Sequence, residues 1–536
     1  MAFRSWRSPV FLGISSIVLV ICISSSLRAP SESNRSHRTP LPTQFLFGTA
    51  SSSYQYEGAY LSDGKGLSNW DVFTHKTPGG IIDGSNGDIA VDQYHRYLED
   101  VDLMEAINVN SYRFSISWAR VLPKGRFGVV NWAGISYYNR LIDALLLKGI
   151  QPFVTLSHNE FPQELEDRYG SWLSTKSRED FEYYADLCFK SFGDRVKYWA
   201  TFNEPDKVAT YGYRQGLGPP SRCSNTFGNC NEGDSEKEPF VVAHNIILSH
   251  AIAVDLYRTK YQNVQGGRIG IIVSADWYEP ISNSTADKLA AERARSFTLN
   301  WCLDPIIFGK YPTDMQKVLG NILPEFSSND KEKLERGLDF IGINHYASYY
   351  VKDCIYSMCE PGPGITKTEG SYQLSPIGEP IPIDSKYVYP QGMEKMVTYV
   401  KNRYNNTPMF ISENDCFTGY SALDNPNNTE EEYLNDFNRK DYMAGHLDAL
   451  MEAIRKGADV RGYFGWSLLD NFEWLRGYTI RFGLHHVDYA TMKRTPRLSA
   501  IWYKEFIARH KTETFQEITL KDRANHLVQT NEKAAL

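Results

Sequence analysis

The sequence has few of the features that indicate metal binding, nucleic-acid binding or hydrolysis of esters and peptides. Only 8 of its 536 residues are cysteine, and no two of these have the Cys-x-x-Cys spacing of a zinc site. The formal net charge of −7 gives no electrostatic basis for binding nucleic acid. Because Gly-x-Ser-x-Gly and His-Glu-x-x-His are missing from the sequence, esterase and metalloprotease chemistry have no support.

A single short apolar run near the N-terminus has the pattern of a secretory signal. Arg4 and Arg7 precede an apolar stretch from Val10 to Ile23, and small serine residues follow it. The stretch is short for a membrane-spanning helix. We therefore expect residues 1–28 to be cleaved, residues 29–42 to form a flexible N-terminus, and no membrane anchor to remain. The expected location is extracellular, in the cell wall, with the vacuole as the alternative.

The cysteines and glycosylation sequons agree with an oxidising compartment. Cys223 and Cys230 bracket one short loop, and Cys354 and Cys359 bracket another, which predicts two local disulfides. The other cysteines beyond the signal are expected to be buried free thiols: Cys188, Cys302 and Cys416. Sequons predict glycan attachment at four positions: Asn34, Asn283, Asn405 and Asn427.

Short apolar strand candidates alternate with amphipathic helical stretches along the chain, which predicts one (β/α)8 barrel over residues 43–513. Helices are predicted at Tyr137–Leu147 and Arg178–Phe192. Residues 514–536 have few aromatic side chains and are expected to form a C-terminal tail. The eight candidate strands are Phe45–Ala50, Asn110–Ser115, Pro152–Ser157, Lys197–Phe202, Ile269–Ser274, Asp339–Asn344, Pro408–Ser412 and Tyr463–Ser467.

Two glutamates follow predicted strands at the positions where barrel enzymes place their chemistry. Glu204 follows Lys197–Phe202, and Glu413 follows Pro408–Ser412. Retaining hydrolysis of a glycoside requires two carboxyl groups, one as acid/base and one as nucleophile. Taken singly, each glutamate could equally be a helix cap or part of an ion pair.

The segments around these glutamates resemble the signatures of glycoside hydrolase family 1. Three further segments match the family in the same order, and the resemblance extends from about Leu41 to His510. The long loop between Cys223 and Cys230 is similar to that of plant β-glucosidases. The matching segments are Thr201–Pro205, Ile411–Asn414, Phe45–Gly58, Tyr112–Trp118 and Trp466–Trp474.

The resemblance implies a retaining mechanism in which Glu413 is the nucleophile and Glu204 the acid/base, with carboxyl groups about 5–5.5 Å apart. It places Arg113 beside Glu413, where the guanidinium would favour the ionised carboxylate. No metal or organic cofactor is implied, because two carboxyl groups suffice. The residues that match the sugar-binding positions of the family are Gln55, His158, Asn203, Tyr346, Trp466, Glu473, Trp474 and Phe482.

Two positions depart from the family pattern near the expected site. Asn159 stands where the family usually has tryptophan, so a wall of the sugar pocket is expected to be weaker. Asp415 stands where the family usually has glycine, so unusual backbone geometry is expected after Glu413. These departures leave open a non-catalytic sugar-binding homologue.

Short segments near both predicted disulfides resemble most closely the monolignol β-glucosidases, which act on coniferin-like and syringin-like phenolic glucosides. The resemblance therefore implies a small-molecule aryl β-D-glucoside as the substrate. Transglucosylation by the same two glutamates, with an alcohol in place of water, remains an alternative. The sequence does not indicate an oligomeric state.

Overall fold

The computed structural model describes residues 41–76, 80–380, 387–415 and 429–512. The predicted signal (1–28), most of the predicted N-terminal segment (29–42) and the predicted tail (514–536) lie outside these ranges. Three single positions singled out in the sequence also lie outside them: Asn34, Cys416 and Asn427.

Eight parallel strands close into a barrel in which each strand pairs with the next along the chain and the last pairs with the first. This topology confirms the predicted (β/α)8 barrel, and every predicted strand overlaps an observed one. The strands are β1 (Leu46–Ala50), β2 (Ser111–Ser115), β3 (Gln151–Ser157), β4 (Tyr198–Asn203), β5 (Arg268–Ser274), β6 (Phe340–Asn344), β7 (Met409–Asn414) and β8 (Val460–Trp466).

Helices connect the barrel strands and cover their outer face. The helix predicted at Tyr137 begins five residues earlier, because Asn131 caps it by accepting a hydrogen bond from the Ala133 amide at 3.2 Å. Residues 498–512 are also helical. The helices are Ser53–Tyr56, Asn69–Lys76, Gln93–Ala106, Trp118–Val121, Trp132–Leu147, Gln163–Tyr169, Lys176–Phe192, Pro205–Tyr213, Glu238–Leu256, Gln262–Gln265, Thr285–Ser296, Leu299–Phe308, Thr313–Leu319, Ser328–Leu334, Gln391–Arg403, Glu430–Leu434 and Phe437–Arg455.

Shorter strands lie in the loops outside the barrel. Trp277–Pro280, Ser348–Asp353 and Tyr372–Pro376 form a three-stranded sheet that is built on the loops after β5 and β6. His485–Asp488 pairs with Lys493–Pro496 after β8. The remaining short strands are Pro123–Arg126, Glu379–Pro380 and Tyr387–Val388.

The barrel interior is filled by phenylalanine side chains that glycines accommodate. The rings of Phe153, Phe340, Phe410 and Phe464 lie 5.2–5.4 Å apart between centroids. A Cβ atom at Gly48 would lie only 2.2 Å from the ring of Phe464. The barrel interior at the level of these rings is therefore a packed core.

One helical region is apolar enough to resemble a membrane span by composition. Among the described residues this is Glu238–Gln265, and 78% of its most apolar window is buried within the protein. Such burial is typical of a helix that packs against the barrel. The buried side chains of Glu238–Leu256 belong to the hydrophobic layer between the helices and the strands.

Both predicted disulfides are present in the loops. The Sγ–Sγ distances are 2.06 Å for Cys223–Cys230 and 1.99 Å for Cys354–Cys359. Cys188 and Cys302 are buried free thiols, as expected.

Candidate active site

The carboxyl ends of the barrel strands surround a cavity of about 450 Å³. Glu413 lies in β7 and Glu204 directly follows β4, and both side chains line this cavity. The barrel therefore brings together two glutamates that are 209 positions apart in the chain (413 − 204 = 209). His158, Tyr346 and Phe482 and three other sugar-binding candidates line it as well: Trp466, Glu473 and Trp474.

Glu413 is held by a cation and a phenol. Arg113 Nη1 donates to its Oε1 at 2.5 Å, and Tyr346 OH donates to its Oε2 at 2.6 Å. Arg113 is fully buried on β2, and Glu413 is only 4% exposed. Hydrogen bonds to both carboxylate oxygens at these distances restrict the orientation of the Glu413 side chain.

Glu204 has a different environment. It has a left-handed backbone (φ 45°) at the start of helix Pro205–Tyr213. The amide of Asn344 donates to its Oε1 at 3.1 Å. Burial of the carboxyl group and the negative charge of Glu413 raise the pKa of Glu204 to about 8, so that it carries a proton at neutral pH.

A chain of hydrogen bonds connects the two glutamates. Asn203 Oδ1 accepts from Arg113 Nη2 at 2.7 Å and from Asn344 Nδ2 at 3.1 Å. Arg113 also contacts Glu413, and Asn344 also contacts Glu204. Sequence reasoning did not select Asn344, although its position at the end of β6 is the same signal that identified the glutamates.

Glu473 is a further acidic group in the cavity wall, beside Glu204 and Glu413. Burial raises its pKa to about 8, and hydrogen bonds with Asn471 and Trp466 act in the opposite direction. Gln55 lies behind Glu473 and donates to its Oε2 at 3.2 Å and to Asn471 Oδ1 at 2.8 Å. In this arrangement Gln55, which is fully buried, orients Glu473.

Aromatic rings form one side of the cavity. The ring of His158 stacks near Trp466 and Trp474 at centroid distances of 5.8 and 6.0 Å. Burial and the charge of Arg113 hold the pKa of His158 well below its usual value, so the imidazole is neutral. Flat neutral rings can pack against the face of a sugar, and the neighbouring carboxyl groups can form hydrogen bonds with its hydroxyls.

The departure at Asn159 is accommodated by a neighbouring indole. Asn159 has a left-handed backbone (φ 63°), which asparagine adopts more readily than most residues. Its carbonyl oxygen accepts from Trp70 Nε1 at 3.1 Å. Trp70 lines the cavity and packs on Trp474 at 4.6 Å, so an aromatic wall is present near Asn159. No sequence motif pointed to Trp70.

At Asp415 the unusual backbone geometry that the sequence led us to expect is not present. Asp415 is not among the described residues that have a positive φ, so left-handed geometry is not needed there. Its carboxylate forms an ion pair with Arg439 at 2.9 Å, and both side chains are buried. Arg439 Nη2 also donates to the carbonyl of Trp466 at 3.0 Å. Asp415 is therefore part of a buried contact between β7 and β8.

The cavity also contains charged and phenolic side chains that the sequence motifs did not indicate. Lys207, Tyr211, Asp276 and Tyr349 line it on the side of helix Pro205–Tyr213 and of the loops after β5 and β6. Over the described ranges, no group of three or more His, Cys, Asp or Glu side chains has the arrangement of a metal site.

Comparison with known proteins identifies similar sequences over nearly the whole chain. The model of the family described as glycosyl hydrolase family 1 matches residues 37–512. The chain is 55% identical to β-glucosidase 47 of Arabidopsis thaliana, with 97% of this chain and 95% of the relative covered. It is 56% identical to probable inactive β-glucosidase 14 of Oryza sativa subsp. japonica (88% and 91% covered). It is 49% identical to coniferin β-glucosidase of Pinus contorta (92% and 97% covered).

Solved structures are similar over the same region. A mutant rice β-glucosidase in a covalent complex with glucose is 46% identical, with a TM-score of 0.82 and 87% of this chain and 98% of that one covered. A β-glucosidase from the fungus Humicola insolens in complex with glucose is 38% identical, with a TM-score of 0.82 and 88% and 98% covered.

Proposed function

This chain belongs to glycosyl hydrolase family 1, and on that premise we propose that it is a retaining β-glucosidase that acts on aryl β-D-glucosides. The single observation that carries the proposal is the contrast between two carboxyl groups in one cavity. Glu413 accepts hydrogen bonds from Arg113 and Tyr346, whereas the pKa of Glu204 is raised to about 8. One group is thus suited to be a nucleophile and the other an acid.

In the first step a carboxylate oxygen of Glu413 attacks the anomeric carbon of the glucoside. The bond from that carbon to the aglycone oxygen breaks, and the proton of Glu204 passes to this oxygen. The products are a glucosyl ester of Glu413, the free phenol and ionised Glu204.

The second step requires Glu204 to act as a base, and the first step prepares it to do so. Formation of the ester removes the negative charge of Glu413, which is one of the causes of the raised pKa of Glu204. Ionised Glu204 then accepts a proton from water as the water oxygen attacks the anomeric carbon. The ester bond breaks, which releases β-glucose and restores the Glu413 carboxylate.

The sugar is held by the inner part of the cavity. Glu473, oriented by Gln55, offers hydrogen bonds for hydroxyl groups, and Trp466 offers an indole surface. A carboxyl group that forms hydrogen bonds with two hydroxyls favours sugars with hydroxyls at defined positions, which supports glucose as the glycone. Arg113 donates to Asn203, the residue that by the family resemblance contacts the sugar 2-hydroxyl.

A phenolic glucoside of the coniferin type is the substrate that we favour. This choice rests on the resemblance of the segments near both disulfides and on the 49% identity with a coniferin β-glucosidase. The relative named as probably inactive makes a direct activity test necessary. The intact Glu204, Glu413, Arg113 and Tyr346 support catalysis over sugar binding alone.

We also propose that the protein is secreted, either to the cell wall or to the vacuole. The support is the signal-like pattern of residues 1–28, together with two disulfides in the loops of the barrel.

The function is tested by the hydrolysis of p-nitrophenyl β-D-glucoside and of coniferin by the wild type and by Glu413→Ala, each with and without azide. We expect turnover by the wild type, its loss in Glu413→Ala, and formation of the inverted glucosyl azide when azide replaces the missing carboxylate. Transfer to added alcohol, measured in the same assays, separates transglucosylation from hydrolysis. A wild type that binds glucosides but never cleaves them would contradict the proposal.

A further inference from the structure

The cavity has an inner and an outer end that differ in exposure. Trp466 and Glu473, at the inner end, are 4% and 6% exposed. Tyr211, on helix Pro205–Tyr213 beyond Glu204, is 44% exposed. If Glu204 protonates the leaving oxygen, the aglycone must lie toward this outer end.

The outer end contains a cation, Lys207, beside the buried carboxylate of Asp206. Lys207 Nζ is 3.9 Å from Asp206 Oδ2. The phenol of Tyr211 and the charges of Asp206 and Asp276 raise the pKa of Lys207, so the ammonium stays charged. Burial alone would have the opposite effect.

Asp276 approaches the same space from the loop after β5. Its charge is the largest cause of the raised pKa of Tyr349, which also lines the cavity, and it acts on Lys207 as well. Asp276 is partly exposed, so a ligand can reach it. The outer end therefore offers one strong donor and one strong acceptor that both face the cavity.

We propose that Lys207 and Asp276 determine aglycone specificity by binding a neutral hydroxyl group of the aglycone and by disfavouring a carboxylate at the same place. A hydroxyl oxygen can accept from the ammonium while its proton is donated to Asp276, so both groups are satisfied. A carboxylate can only accept, and it would face the negative charges of Asp276 and Asp206. This inference rests on the proposed glucosidase function and concerns the same cavity.

Two substrates that differ only in the terminal group test the inference. They are the β-D-glucosides of a phenol with a para 3-hydroxypropenyl group and of the same phenol with a para carboxyvinyl group, compared by kcat/KM at pH 6.5. We expect the wild type to favour the alcohol by about tenfold or more, since like charges at an interface are strongly disfavoured. Asp276→Asn should reduce this ratio by raising kcat/KM for the acid. Lys207→Met should raise KM for the alcohol, which loses its donor, and should not raise kcat/KM for the acid, because the variant site has one positive charge fewer.

The two phenols also differ as leaving groups. This difference cancels when the alcohol-to-acid ratio of kcat/KM in each variant is divided by the ratio in the wild type. Asp441→Asn, at an exposed position of helix Phe437–Arg455, is the matched control and should leave the ratio unchanged. Equal ratios in the wild type, Asp276→Asn and Lys207→Met would overturn the inference.

If the wild type cleaves neither glucoside, the proposed function fails, and the inference is then judged by the binding of the two free phenols in a calorimetric titration. Tighter binding of the alcohol, weakened in Lys207→Met, would support it. Equal Kd values for the alcohol and the acid would overturn it.

Discussion

At the residue scale, Glu204 and Glu413 have the same side chain but different neighbours. Glu413 accepts from a buried guanidinium and a phenol, whereas Glu204 accepts from an asparagine amide. The charge of Glu413 is itself one cause of the raised pKa of Glu204. The division of roles between the two glutamates is therefore a property of their environment.

We predict an alkaline limit of activity that is set by Glu204. The acid acts in its protonated form, which is lost as the pH rises through its pKa of about 8, so kcat/KM for p-nitrophenyl β-D-glucoside should fall above that pH. The measurement is the pH dependence of kcat/KM.

Glu204→Gln provides the control for that limit. With 2,4-dinitrophenyl β-D-glucoside, whose leaving group needs little protonation, formation of the glucosyl ester should persist in this variant without the limit near pH 8. An alkaline limit that is the same in Glu204→Gln and the wild type would assign it to another group.

The residues that can be predicted from sequence at this scale are those in recognisable motifs at strand ends. Glu204 and Glu413 were predicted in this way, Arg113 and Tyr346 were predicted from the family resemblance of their segments, and the four side chains lie together in the structure. Lys207 and Asp276 were not predicted, because a charged side chain in a loop or on a helix has no pattern that distinguishes a cavity wall from a solvated surface.

At the element scale, the ends of β7 and β8 are joined by a buried ion pair. Asp415 follows β7, and Arg439 lies on helix Phe437–Arg455. Arg439 also donates to the carbonyls of Trp466 and Gly483, at 3.0 and 2.5 Å. The pair therefore positions the strand that carries Glu413 relative to the strand that carries Trp466.

We predict that Arg439→Met destabilises the protein by about 3–5 kcal/mol, since it removes the cation from a buried carboxylate and the donor from buried carbonyls. The measurement is the midpoint of urea unfolding. Arg455→Met, at an exposed position of the same helix, should cost less than about 1 kcal/mol. A double variant Arg439→Met/Asp415→Asn that is no more stable than Arg439→Met alone would argue against the ion pair as the cause.

At the scale of the whole molecule, the residues that form the packed interior of the barrel and the residues that form the cavity lie in different parts of the fold. Phenylalanine rings fill the interior, and the charged and aromatic side chains of the cavity lie at the carboxyl ends of the strands. Exposed loops carry both disulfides and two of the predicted glycan sites, Asn283 and Asn405.

We predict that the protein expressed in a secreting plant cell has glycans at Asn283 and Asn405, which are both exposed. Asn283→Gln and Asn405→Gln should each lower the mass of the intact protein by one glycan, as measured by mass spectrometry. Asn435→Gln, at an exposed position outside any sequon, should not lower it by a glycan. Retention of the protein inside the cell with residues 1–28 attached would contradict the proposed secretion.

The sequence by itself determined the barrel and the positions of its two glutamates. Strand and helix periodicities are local, and parallel strands in a barrel present their carboxyl ends on one face, so strand-end residues could be placed without coordinates. The family resemblance implied that Arg113 lies beside Glu413, although 300 positions separate them. Only the tertiary structure decided the contacts outside the motifs: Asp415 pairs with Arg439, Trp70 donates to the carbonyl of Asn159, and Asp276 acts on Lys207 from the loop after β5. Such contacts depend on closure of the whole barrel, which no local pattern encodes.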